Sequence, residues 1–163
     1  KGIPVDEDFE TTIDMNINAY IPEKYIANEY LKLDIYKRIA GIESQEEYDE
    51  MLEELLDRFG EPPKTVQNLL AIAGLKALAH RIYLTEVKQM GNDLKLTLYE
   101  KARINPEKIP ELISRHPEEL KFRAEANPYF IYHPRNSRAK EKISMLDKAR
   151  ELLMEMQDFV EDV

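Results

Sequence analysis

Thr85-Glu86-Val87-Lys88-Gln89-Met90-Gly91-Asn92-Asp93-Leu94-Lys95-Leu96-Thr97-Leu98-Tyr99-Glu100 is the stretch on which the fold class turns. Leu94, Leu96 and Leu98 alternate with Lys95, Thr97 and Tyr99, the period of two that gives a strand one apolar face. Gly91-Asn92-Asp93 supplies turn residues between that run and Thr85–Met90, so the segment reads as a β-hairpin.

Working outward, Ile13, Met15, Ile17, Ala19 and Ile21 alternate with polar residues and predict a half-buried strand over 13–21. Residues 1–10 carry Gly2, Pro4 and several acids without periodicity, and read as a linker arriving from elsewhere. Lys1 is not a methionine, which fits a fragment of a longer chain and equally a processed terminus or a tag remnant. After Pro22, residues Tyr25, Ile26, Tyr30, Leu31, Ile35, Tyr36 and Ile39 fall at helical spacing until Gly41, giving one or two helices. Ser44 and Glu47 form the pattern of a capping box, the cap alone contributing about 1 kcal/mol. Behind it Tyr48, Met51, Leu52, Leu55, Leu56 and Phe59 define an apolar stripe. Gly60 is expected to end this helix in a left-handed conformation, and Pro62 and Pro63 keep it from resuming. The next helix, Lys64 to Tyr83, is apolar over too wide a face to be half exposed and is expected to be the central core helix.

Beyond the hairpin, Asn105-Pro106 starts a short helix that ends near His116-Pro117, with Pro110 costing a hydrogen bond if the helix begins as early as Pro106. Leu120, Phe122 and Ala124, then Tyr129 to Tyr132, offer a second hairpin. A long amphipathic helix is predicted over 137–161, with Ile143, Leu146, Ala149, Leu153, Met156 and Val160 on one face. This order does not alternate as a doubly wound fold would. It predicts an α+β single domain, a small, mostly antiparallel sheet packed against several helices.

Composition narrows the function. The chain of 163 residues carries a formal net charge of −9, which argues against a surface built to coat duplex nucleic acid. It has no cysteine, so disulfides and thiolate metal sites are excluded, and a cytoplasmic setting is expected. No run approaches the length of a membrane span. The five glycines are isolated, which rules out a phosphate-binding loop. His80, His116 and His133 show no spacing that presents two ligands on one helix face, although distant histidines can still meet in space. None of the four serines lies in a nucleophile elbow. No cofactor is expected.

Two charge features remain. Residues 43–58 hold eight acids against one base, a net −7, with Glu46, Glu50, Glu53 and Asp57 opposite the apolar stripe. Glu54 and Arg58 lie on its shoulder in the favourable i, i+4 order. An ordinary solvated face is the simpler reading; a face that meets a basic partner, its angle set by the adjoining corner, is the other. Arg135, Arg138, Lys140 and Lys142, with Glu141, make a +3 patch at the start of the last predicted helix. That patch is either a nucleic-acid arm or surface charge at a helix N-terminus, where the macrodipole disfavours it without an anionic partner. An enzyme built on paired carboxylates would instead need acids gathered and buried in a pocket.

Residues 30–40 (YLKLDIYKRIA) and 54–70 (ELLDRFGEPPKTVQNLL) resemble the C-terminal domain of bacterial transcription-repair coupling factors (Mfd). The strand ending at Tyr20-Ile21-Pro22, the hairpin after Leu84 and the helix at Asn105-Pro106 are similar to the same domain. The resemblance implies a parent protein that is an ATP-driven DNA translocase, acting on stalled RNA polymerase and recruiting repair through UvrA. It implies that residues 1–10 link to upstream motor domains and that 11–163 form a regulatory, non-catalytic domain. Such a domain would dock on the N-terminal UvrB-like module of the same protein and mask its UvrA-binding surface, with no membrane contact and none expected to DNA. Carried over to this sequence, the docking positions are Glu54, Asp57 and Arg58, expected to face basic groups for the acids and an acid or carbonyl for the arginine.

Overall fold

The computed structural model describes residues 9–135 and 144–160. The described backbone gathers into two compact units, one formed by residues 16–77 and the other by residues 9–15, 78–135 and 144–160.

The unit of residues 16–77 is helical. Helix α1 (Glu29–Ala40) starts where the Asn28 side chain accepts the Leu31 N–H at 2.9 Å, and stops at Gly41. Helix α2 (Gln45–Phe59) starts at Ser44, whose hydroxyl accepts the Glu47 N–H at 3.1 Å. The reciprocal half of the expected capping box lands one residue earlier, Glu47 accepting from the Glu43 N–H at 2.8 Å. The Glu47 side chain thus reaches back over the first turn, as in a capping box, but meets the N–H one residue before the cap. Helix α3 runs Lys64–Arg81, beginning in this unit, and Pro63 offers its carbonyl to the Val66 and Gln67 N–H groups. The core joins Ile21, Ile26, Ile35, Ile39, Ile42, Met51, Leu55, Val66, Leu70 and Ala73.

Two stripe assignments need correction. Tyr30 is 88% exposed and Leu56 is 42% exposed, although both fall at apolar positions of the sequence pattern. Leu56 sits about 100° round the helix from the fully buried Leu55, beyond the face that meets α1. Tyr30 projects in the first turn of α1, well away from the buried Ile35 and Ile39.

The other unit carries the sheet. Strands β1 (Thr12–Asp14), β2 (Leu84–Met90), β3 (Asp93–Leu98), β4 (Leu120–Arg123) and β5 (Tyr129–Tyr132) lie in the order β1-β2-β3-β5-β4. Only β1 with β2 is parallel; the other pairs are antiparallel. Both hairpins form as the sequence predicts, and so does the α+β class. The β2–β3 turn is tighter than read: Met90 pairs with Asp93, leaving Gly91 and Asn92 as the loop. Gly91 has a φ of 64° and is the only one of those two with positive φ, which suits glycine at the first position of a II′ turn.

The expected strand over 13–21 is mostly not a strand. Ladder pairing ends at Asp14 with Lys88, yet exposure goes on alternating residue by residue to Ile21. Beyond the ladder the extended chain bonds to α3 instead, with Tyr20 N–H to Thr65 O at 3.2 Å and Asn68 Nδ2 to Asn18 O at 3.0 Å. Periodicity reports burial, and burial needs no sheet partner.

Helix α3 ends at Arg81, two residues before the predicted stop, where Tyr83 takes a φ of 66°. Its exposed residues are Lys64, Gln67, Lys76 and Arg81, as a central core helix requires. Helix α4 spans Lys108–Arg115, so Pro110 falls in its first turn and breaks no helical hydrogen bond. Helix α5 spans Met145–Glu155, capped by Ser144 on the Asp147 N–H at 3.1 Å, and tightens into a 3-10 turn, Met156–Phe159. The predicted start of that helix at Ser137 lies outside the described residues, but the extended backbone of Ser144 sets the start of α5. Leu152 and Phe159 join its buried face, Phe159 lying 6.1 Å from Phe130 between ring centroids. Residues 1–8 of the expected linker are outside the described residues, while Phe9 stacks on His80 at 4.3 Å and Tyr99 at 4.6 Å.

Gly60 carries the corner after α2 with φ 86° and ψ −166°. This is not the expected left-handed helical well but a region essentially confined to glycine. A Cβ there would meet nothing within 4 Å, so its penalty is one of backbone conformation alone. Gly60→Ala is therefore expected to lower the unfolding free energy by about 1–3 kcal/mol in urea titration, despite the empty space around it.

Candidate functional site

The block Glu54–Gly60 forms the last turn of α2 and its exit. Met51 and Leu55 anchor the helix in the core, turning Glu46, Glu50, Glu53 and Asp57 to solvent as one row. Those acids are spread along an open face, and of the row only Glu50 also borders the groove beside Glu54. Among the described residues, no group of three or more His, Asp or Glu side chains could hold a metal ion.

Glu54 is different from the row. Arg38, on α1, grips it with both terminal nitrogens: Nη1 to Oε2 at 2.7 Å, and Nη2 to Oε1 in a short contact. Arg58, one turn on along α2, adds Nη1 to Oε2 at 2.6 Å. Hydrogen bonds from Arg38 first, and Arg58 second, hold the Glu54 carboxyl down at about 2 against its ordinary 4.5. The same contact with Glu54 raises the Arg38 guanidinium. Arg58 also lies over the Phe59 ring, 5.0 Å from its centroid, and Phe59 leans on Tyr25 at 5.7 Å. The Tyr25 hydroxyl in turn donates to Gly60 O at 2.8 Å, fastening the corner. A groove of about 590 Å³ opens beside this array, lined by Arg38, Gly41, Ile42, Glu47, Glu50, Met51 and Glu54.

The structure thus brings Glu54 and Arg58 together in the predicted i, i+4 pair. Asp57 stays exposed, and among the described residues its side chain makes no hydrogen bond or ion pair. Sequence reasoning missed Arg38. It lies within the YLKLDIYKRIA block, but nothing in a separation of 16 residues announces a pairing between two helices. Of the basic patch, Arg138, Lys140 and Lys142 lie outside the described residues. Arg135 pairs with Glu118, its N–H donates to Glu119 at 2.8 Å, and its carbonyl accepts from Lys148 at 2.8 Å.

The TRCF domain family model matches residues 15–109, a span that includes α1, α2, the corner and the first hairpin. This chain belongs to the TRCF domain family. Among similar proteins, the transcription-repair-coupling factor of Bacillus subtilis is 40% identical over 108 residues, covering 65% of this chain and 9% of that protein. That of Borreliella burgdorferi is 33% identical over 144 residues, 88% of this chain and 13% of the relative. The TRCF domain here therefore spans about a tenth of the length of these relatives. A crystal structure titled as the C-terminal domain of transcription-repair coupling factor superposes with a TM-score of 0.76 at 24% identity, covering 93% of each chain, which shows a shared fold. In this TRCF domain no helix among the described residues is long and apolar enough to cross a membrane.

Because the Glu54 carboxyl is held near 2 while an unfolded chain would titrate it near 4.5, the clamp stabilises the fold above about pH 4.5, and that contribution is lost as pH falls toward 2. Carbon NMR of the Glu54 side-chain carboxyl is expected to show it titrating well below its ordinary 4.5. Glu54→Gln should flatten this part of the acid-unfolding curve.

Proposed function

We propose that this TRCF domain is a non-catalytic docking domain of a transcription-repair coupling factor. It closes on the N-terminal UvrB-like module of the same protein and masks the surface UvrA uses. The observation that carries this reading is the arrangement at the end of α2: Asp57 unpaired and solvent-facing beside the Arg38–Glu54–Arg58 clamp, at a corner fixed by Gly60 and Tyr25. Exposed charge on a rigid support orients a partner and gives a salt-sensitive contact of modest strength, which suits a lid that must open. In this reading residues 11–163 are the lid and residues 1–10 its link to upstream motor domains, which would use ATP to move on DNA. RNA polymerase or DNA, engaging the motor, would shift the balance from closed to open in the bacterial cytoplasm.

Two other readings draw less support. A nucleic-acid module would present free cations, but Arg135 is already engaged by Glu118. A carboxylate enzyme would need a protonatable acid in a cleft, whereas the α2 acids face water and Glu54 is held ionised.

Asp57→Lys in the full-length factor is expected to raise its affinity for UvrA roughly five- to thirtyfold, the equivalent of about 1–2 kcal/mol of lost closure. The unfolding midpoint should not fall, since Asp57 makes no contact that holds the fold and a cation suits the last turn of α2 better than an acid. Titration of fluorescent UvrA with the two proteins measures this, and equal affinities would refute the masking role.

A further inference from the structure

Arg38 lies on α1, outside the ELLDRFG block that carries the docking positions, and its role is open. We propose that Arg38 is a positioning residue of the docking face, fixing Glu54 and through it the Arg58 guanidinium in the orientation the partner meets. The inference rests on the docking reading above and adds to it a second helix.

Geometry supports a relay and not a mere surface pair. Arg38 occupies both oxygens of Glu54, the fork-to-fork arrangement that fixes the plane of a carboxylate as well as its place. Arg58 is then fastened at one point, Nη1 to Glu54 Oε2, and steadied by the Phe59 ring beneath its guanidinium carbon. Its other donors make no hydrogen bond among the described residues and remain available. A long arginine held this way has less rotamer freedom to lose when a partner docks, which is how preorganisation raises affinity without a new contact.

Stability alone does not account for the pair. The side chains of Arg38 and Glu54 are 42% and 29% exposed, and ion pairs this open contribute little to folding. The helices are already joined by Ile35, Ile39, Met51 and Leu55, all buried. What Arg38 adds is orientation. Lysine could supply the charge but not the two-pronged grip.

The test compares UvrA affinity of the full-length factor carrying Arg38→Gln, Arg38→Lys, Glu54→Gln and the Arg38→Gln/Glu54→Gln pair, with Asp57→Lys as reference. Arg38→Gln is expected to raise UvrA affinity roughly three- to tenfold with only a small fall in the unfolding midpoint, as the loss of so open an ion pair gives. Arg38→Lys should restore the closed state only partly. In the Glu54→Gln background, Arg38→Gln should have no further effect, because its route to Arg58 is already cut. The proposal is overturned if Asp57→Lys opens the lid while Arg38→Gln does not, or if the Arg38 and Glu54 substitutions act additively. If Asp57→Lys also leaves UvrA affinity unchanged, the docking reading itself fails and this inference with it.

Discussion

One carboxylate shared between two arginines organises the face on which the account depends. Glu54 takes two hydrogen bonds from Arg38 and one from Arg58, joining α1 and α2 at the surface above a core that already joins them below. The arrangement is open to water, so its value lies in direction more than in strength. Next to it the chain turns at Gly60 through a conformation other residues resist, and Tyr25 closes the turn by bonding the Gly60 carbonyl. Charge and corner together make a small rigid edge on a helical unit.

Features governed by nearest neighbours were legible in the sequence. The two hairpins, the caps at Ser44 and the stop at Gly60 each depend on a few adjacent residues whose backbone preferences dictate the result. The i, i+4 pair of Glu54 and Arg58 belongs to the same class, because a helix fixes that spacing. Arg38 was not legible, since its meeting with Glu54 depends on how two helices cross. The extent of β1 was not legible either. Ile13 to Ile21 keeps its alternation of burial, but hydrogen bonding passes from β2 to α3 after Asp14, a choice made by packing and not by pattern. Tyr30 misled for a related reason: its spacing fits an apolar stripe, and aromatic residues at a helix start can equally face water.

Membership in the TRCF domain family fixes the identity of the domain, and the geometry of α2 bears on the proposed docking at positions that the family resemblance selected. The family supplies the context of a much longer protein, of which this chain corresponds to about a tenth. The geometry supplies an exposed, charged edge mounted on a fixed corner, with Leu56 also exposed beside Asp57. If such an edge acts as the proposed latch, it would respond to whatever shifts the closed population by a few kcal/mol, without any change inside the domain.

Carboxyl footprinting of the full-length factor tests the central claim most directly, because Asp57 is both the exposed acid and the postulated contact. With the lid closed, Asp57 is expected to be protected from modification in the resting protein, and to become reactive when UvrA is added or the N-terminal module is deleted. Equal reactivity of Asp57 in all three states would contradict it.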